Sequence, residues 1–116
     1  MKITNQEINK DVTKEAIKRL MEYQHKHLID YVANENPEAV TFTGPSFDTA
    51  IVGYAMNDEG LPVFVYSYDK MVESLSEEMK EEAEPVSAAI EFIDYNTIRT
   101  LPYIPSRGRP IIMYGT

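Results

Sequence analysis

From Val86 to Arg99 the chain reads V-S-A-A-I-E-F-I-D-Y-N-T-I-R. Advancing about 100° per residue places Ala89, Ile90, Ile93 and Thr97 on one helical face, and Leu101 continues it a turn later. Phe92, Asn96 and Arg99 fall on the flank, with Ala88 and Tyr95 just beyond, while Ser87, Glu91 and Asp94 gather opposite. An apolar arc this wide predicts a helix over 86–99 that packs against two neighbours at once. Asn96 falls inside the arc, where an unpaired amide costs about 1–3 kcal/mol. It is therefore expected to be buried and at least doubly hydrogen-bonded, to backbone of the 100–109 connection.

A second periodic segment lies near the N-terminus. Ala16, Ile17, Leu20, Leu28, Tyr31 and Val32 recur at three- and four-residue spacing among Lys14, Lys18, Arg19 and Glu22, which predicts one amphipathic helix over about 11–34. Thr4 with Glu7 matches a capping box, Asn9, Asp11 and Thr13 offer further caps, and Asn34, Asn36 and Pro37 end the helix. The pattern does not say whether this apolar face packs on its own domain or on another chain.

The pattern then turns to period two. Ala39–Thr43 reads as a short strand broken by Gly44-Pro45-Ser46. Residues 47–56 and 62–68 are rich in β-branched and aromatic side chains around Asn57-Asp58-Glu59-Gly60, the signature of an antiparallel hairpin. Gly53 inside the first strand suggests a bulge. Asp69 is the expected N-cap of a further helix whose stripe is Met71, Val72, Leu75 and Met79, fraying where Glu81, Glu82 and Glu84 crowd its C-terminal end. Pro85 suits the first turn of the next helix. Leu101-Pro102 and Ile104-Pro105 mark an irregular connection to a closing strand at 110–114. The fold class expected is α+β: a small antiparallel or mixed sheet of three to four strands with two or three helices, in one domain over 1–116 whose α+β body spans about 39–114.

Composition narrows the function. The 116 residues hold no cysteine, which excludes disulfides, thiolate zinc sites and cysteine nucleophiles. Neither a membrane-spanning run nor a signal-type apolar segment is visible, so a cytoplasmic protein without membrane association is expected. The net charge of −8 is unevenly placed. Residues 1–36 carry six acids and six bases, 37–68 four acids and no base, 69–94 nine acids and two bases, and 95–116 three arginines alone. Such a surface repels a phosphate backbone, disfavouring direct nucleic-acid binding, and attracts a partner with a basic surface.

Candidate chemistry is sparse. His25 and His27, two residues apart on a helix, diverge and cannot share a metal ion by themselves. No P-loop, dinucleotide fingerprint, G-x-S-x-G or H-E-x-x-H motif occurs, so neither enzyme activity nor a cofactor is expected. One candidate group is Asn96, Arg99, Tyr103 and Arg107, where guanidinium forks and an aromatic ring could hold a small anionic or nucleotide-like ligand. The other is Glu77, Glu78, Glu81 and Glu82, an acidic surface for a protein partner. Tyr54, Tyr66, Tyr68, Tyr103 and Tyr114, on predicted strands and loops, could add an aromatic contact face.

Three segments, F-D-T-A-I-V-G-Y at 47–54, V-Y-S-Y-D-K-M-V-E at 65–73 and A-I-E-F-I-D-Y-N-T-I-R-T-L-P-Y at 89–103, together with the closing P-I-I-M-Y, resemble a group of small proteins encoded by phages and other mobile elements of Gram-positive bacteria. The resemblance covers about 45–114 and leaves the N-terminal helix outside. It brings no established activity, cofactor or catalytic residue, but it implies a role in binding and blocking a host protein. The function expected is thus a non-enzymatic acidic protein acting by protein contact, as an accessory or counter-defence protein. The alternatives are the small-ligand module and a structural subunit of a homo-oligomer.

Overall fold

The computed structural model describes residues 5–43 and 47–115, with the side chains of the N-terminal helix from Thr13 onward. Helix α1 (Asn5–Glu35) leads through an irregular segment and a 3-10 turn (Phe47–Ala50) into strands β1 (Ile51–Met56) and β2 (Pro62–Ser67). Helices α2 (Tyr68–Glu78) and α3 (Pro85–Asn96), a second 3-10 turn (Ile98–Tyr103) and strand β3 (Ile111–Met113) follow. This is the α+β class expected. Thr4 and the Gly44-Pro45-Ser46 break lie outside the described residues. Helix α1 begins well before residue 11, so Asn9, Asp11 and Thr13 are interior positions and not caps.

Several local departures have identifiable causes. The strand expected over Ala39–Thr43 does not form, because the Val40 N–H donates to the Gly108 carbonyl (2.9 Å) and the Phe42 N–H to the Tyr66 hydroxyl (3.0 Å). Residues 47–50 wind into a 3-10 turn, whose three-residue repeat brings Phe47 and Ala50 onto one buried side. Ser67, not Asp69, caps α2, its Oγ accepting from the Lys70 N–H at 3.2 Å. Helix α3 stops at Asn96 and not Arg99. Pro102 has no N–H to give the Ile98 carbonyl and its ring opposes a continuing α-helix there; the chain winds into a 3-10 turn in which the Thr97 carbonyl accepts from the N–H and Oγ1 of Thr100 (3.1 and 2.6 Å).

The sheet order is β1-β2-β3. β1 and β2 form the expected antiparallel hairpin, with Ile51 opposite Tyr66 and Gly53 opposite Val65, so Val52 is the extra residue of a bulge beside Gly53. β3, however, runs parallel to β2, with Val65, Tyr66 and Ser67 opposite Ile111, Ile112 and Met113. The sheet is therefore mixed, the second of the two forms expected. The loop before β3 is fastened beside Pro62 at the start of β2, and β3 runs from there in β2's direction.

Helices α1 and α2 pack on the face of the sheet carrying Phe64 and Tyr66, and α3 packs on α2. Val32 of α1, Met71 and Leu75 of α2, and Ala89 and Ile93 of α3 form one buried cluster with Phe47, Ala50 and Ile51. The α3 stripe is as expected at Ala89, Ile93 and Thr97, while Ile90 is exposed at its edge. Burial pushes the Tyr66 phenol up to about 12, although the Phe42 N–H partly opposes the shift. Burial also raises Tyr68 to about 12, helped by the hydrogen bond its hydroxyl donates to Asp94 (2.7 Å).

These two phenols fix the sign of the alkaline response. Below the ordinary tyrosine value of 10 they are neutral in the folded and unfolded chain alike, and their contribution is fully present. Between 10 and about 12 the unfolded chain ionises first, so folding stability falls across that window. Urea denaturation at stepped pH should show this decline, with tyrosinate absorbance lagging for Tyr66 and Tyr68 and also for Tyr31, whose phenol burial likewise raises. Tyr66→Phe should make the decline shallower while costing about 0.5–1.5 kcal/mol at neutral pH for the lost Phe42 bond.

Candidate functional site

The four residues proposed for an anionic ligand are each exposed or engaged with partners of their own. Asn96, expected to be buried with partners in 100–109, is exposed and donates to the Phe92 carbonyl of its own helix (3.1 Å). The helix ends there, so the apolar arc that would have covered it is interrupted by the 3-10 turn. Arg99 lies over the Tyr95 ring, 4.5 Å from its centroid. Tyr103 is 87 % exposed. Arg107 is turned elsewhere, its Nε 2.7 Å from Glu38 and 3.9 Å from Glu59. To clasp one anion together, Arg99 and Arg107 would have to leave these partners.

The acidic candidates share one surface. Glu73, Glu77 and Glu78 of α2, and Glu81, Glu82 and Glu84 of the turn that follows, are all exposed. Lys80 is the one base of residues 71–84, 3.9 Å from Glu77. Met71 and Leu75 anchor the other side of α2 in the core, so the surface is carried on a fixed element. Glu77 and Glu73 also line an open groove of about 470 Å³ between α2 and the first 3-10 turn, with Thr49, Lys70 and Ser74. The groove is open to solvent and lined by polar and charged residues, whose aliphatic stems supply about half of its surface. Among the described residues, no group of three or more histidine, aspartate or glutamate side chains is placed to hold a metal ion, and no helix is long and apolar enough to cross a membrane.

The polar residue that sequence reasoning missed is Asn36, just beyond α1 and 1 % exposed. Its amide is used in full. Nδ2 donates to the carbonyls of Pro62 (3.0 Å) and Arg107 (2.8 Å), and Oδ1 accepts from the Glu38 N–H (3.2 Å). Asn57, in the hairpin loop, donates to the same Arg107 carbonyl (2.9 Å) and accepts from the N–H groups of Glu59 and Leu61. Gly108 completes the junction, since a Cβ there would collide with the Glu38 carbonyl. The available signal was N-P-E at 36–38, an asparagine able to fold back onto the N–H two residues on.

The structure also places apolar residues where nothing covers them. Every side chain from Thr13 to Gln24 is exposed, including Ile17, Leu20 and Met21 at 51, 53 and 63 %. Contact with the body begins at His25, whose Nε2 lies 2.7 Å from the Asp48 carbonyl. The radius of gyration, 17.8 Å, exceeds the roughly 13 Å of a compact chain of about this length, as expected when a long helix projects.

No protein-family model matches this chain, and neither a curated protein nor a solved structure matches it significantly. Function therefore rests on its own geometry.

The contrast between the two asparagines is measurable. Asn36→Ala should destabilise by about 1–3 kcal/mol, because buried carbonyls lose donors. Asn96→Ala should change stability by no more than about 0.5 kcal/mol, as at an ordinary surface position. Gly108→Ala should be the most damaging of the three, since its Cβ meets backbone that cannot yield. Chemical denaturation of the three variants beside the wild type ranks them.

Proposed function

We propose that this chain is a non-enzymatic, cytoplasmic protein that acts by protein–protein contact, presenting the acidic surface of α2 and the following turn to a partner of basic surface. The observation that carries this reading is the display of six exposed glutamates with one lysine over residues 71–84, held on a helix whose other side is locked into the core. Exposed charges of one sign steer an oppositely charged partner and raise its rate of encounter. An accessory or counter-defence role in a phage or mobile element belongs to this proposal and rests on the sequence resemblance alone.

Replacing Glu77, Glu78, Glu81 and Glu82 by glutamine leaves the buried side of α2 untouched, so the fold should survive. Capture of partners from a source-cell lysate, followed by surface-immobilised kinetics on those captured, provides the measurement. The variant should associate more slowly, and its association should depend less steeply on salt, because screening acts on the charges removed. A variant indistinguishable from the wild type at low and high salt would refute the acidic surface as the contact.

A further inference from the structure

The helices cover one face of the sheet and leave the other largely bare. That second face carries Gly53 and Ala55 of β1, Val65 of β2, and Ile111 and Met113 of β3, which follows from the register of the three strands. Two parts of it are closed: the hairpin end, where Val63 lies beside Ser106, Arg109 and Pro110 at a cavity of about 280 Å³, and Ser67, opposite Met113, which is buried where β2 passes into α2. Ile111 and Met113 are 41 and 37 % exposed, and a Cβ added to Gly53 would meet nothing within 4 Å. A parallel strand pair such as β2–β3 is normally covered on both faces. Here an apolar trough is open beside small residues of the edge strand.

Helix α1 has the complementary deficiency. Ile17 and Met21 lie within about 20° of the direction of Leu28, with Leu20 about 80° to one side. The stripe that packs on the body at Leu28 and Val32 thus continues along the helix after the body has ended. The chain cannot bring its two uncovered surfaces together. Its helix is continuous from Asn5 to Glu35, and the C-terminal end is fastened to the opposite face by Val32, by the Tyr31–Tyr54 ring contact (5.1 Å) and by Asn36.

We propose that the projecting half of α1 docks on the bare sheet face of a second copy of this chain, each copy giving one helix and receiving one. This deepens the protein-contact reading and rests on it. Charge supports the choice of occupant. Residues 1–27 hold six bases and four acids, whereas residues 28–116 hold five bases and fifteen acids. Lys14 and Lys18 border the apolar stripe on one side. Asp58 and Glu59, the latter 3.9 Å from Arg107, border the face at its hairpin end, where Arg109 is turned away to donate twice to the Ile104 carbonyl (3.0 and 2.8 Å). Pairing the two helices with each other would instead bring segments of the same net charge together and leave both sheet faces uncovered. Reciprocal helix-to-sheet docking makes the contact twice and closes as a two-fold pair.

The test is solution mass by analytical ultracentrifugation, with two surface variants. Leu20→Glu with Met21→Glu alters exposed positions, and Gly53→Glu points into open space at a position without a positive φ, so circular dichroism should match the wild type for both. The wild type should be a dimer, each variant a monomer, and an equimolar mixture of the two variants should regain dimer, since one intact helix then meets one intact sheet face. Because the chain has no cysteine, Met21→Cys and Gly53→Cys chains mixed under oxidising conditions should also give the mixed disulfide in preference to either homodimer. A monomeric wild type, loss of the dimer in only one variant, or failure of the mixture to recover it overturns the proposal. A monomer that still captures basic partners through its glutamates would overturn the dimer and leave the protein-contact reading standing.

Discussion

The arrangement of this protein turns on one buried amide. Asn36 sits where α1 ends, and its two N–H donors reach the first residue of β2 and the loop before β3, while its oxygen holds the turn at Glu38. Three segments far apart in sequence meet at a side chain that cannot be left partly satisfied, because each buried unpaired group would cost on the order of 1–3 kcal/mol. Asn57 binds the same Arg107 carbonyl from the hairpin side, and the absence of a side chain at Gly108 lets the loop come against the Glu38 backbone. The consequence reaches the sheet. With its loop pinned at the start of β2, β3 runs in the direction of β2, and the sheet is mixed.

The same junction engages the arginines of the loop before β3. Arg107 supplies its carbonyl to two asparagines and its guanidinium to Glu38, so both ends of the residue serve the joint. Arg109 likewise turns back on the Ile104 carbonyl. The arginines that follow the acidic region thus brace the connection to β3, and the body keeps an acidic exterior on α2 and the turn beyond it. Charge and fold are separable here: the glutamates can be changed without touching Met71 or Leu75, and the junction can be broken without touching the glutamates.

What the sequence made legible was local. The period of α3 located Ala89, Ile93 and Thr97, the hairpin and the bulge at Gly53 followed from residue type, and the stripe of α2 placed Met71 and Leu75 inward. What stayed hidden was set by contacts across the chain. Burial of Asn96 requires a helix that continues through Arg99 beneath the following connection, and α3 ends at Asn96 itself. The buried amide is instead that of Asn36, whose burial depends on Pro62 and Arg107 arriving from elsewhere. The direction of β3 was hidden for the same reason. Of the candidate site, the acidic group was readable because a run of glutamates on a helix needs no distant partner to be exposed, whereas convergence of Asn96, Arg99, Tyr103 and Arg107 required a tertiary arrangement that no spacing could establish.

The sheet's protections bear on how it meets other molecules. Exposed strand edges invite pairing with another chain, and natural sheets blunt them by bulges, short strands and proline. β1 carries a bulge at Val52 and Gly53, and β3 has three residues with Pro110 before it. Both edges are therefore poor templates for strand addition. The bare face has no equivalent defence: Gly53, Ala55, Val65, Ile111 and Met113 put no charge on it. An apolar face left beside two guarded edges favours contact by a helix lying across the strands over contact by a strand added to them, and the same chain carries a helix whose apolar stripe outruns its own body.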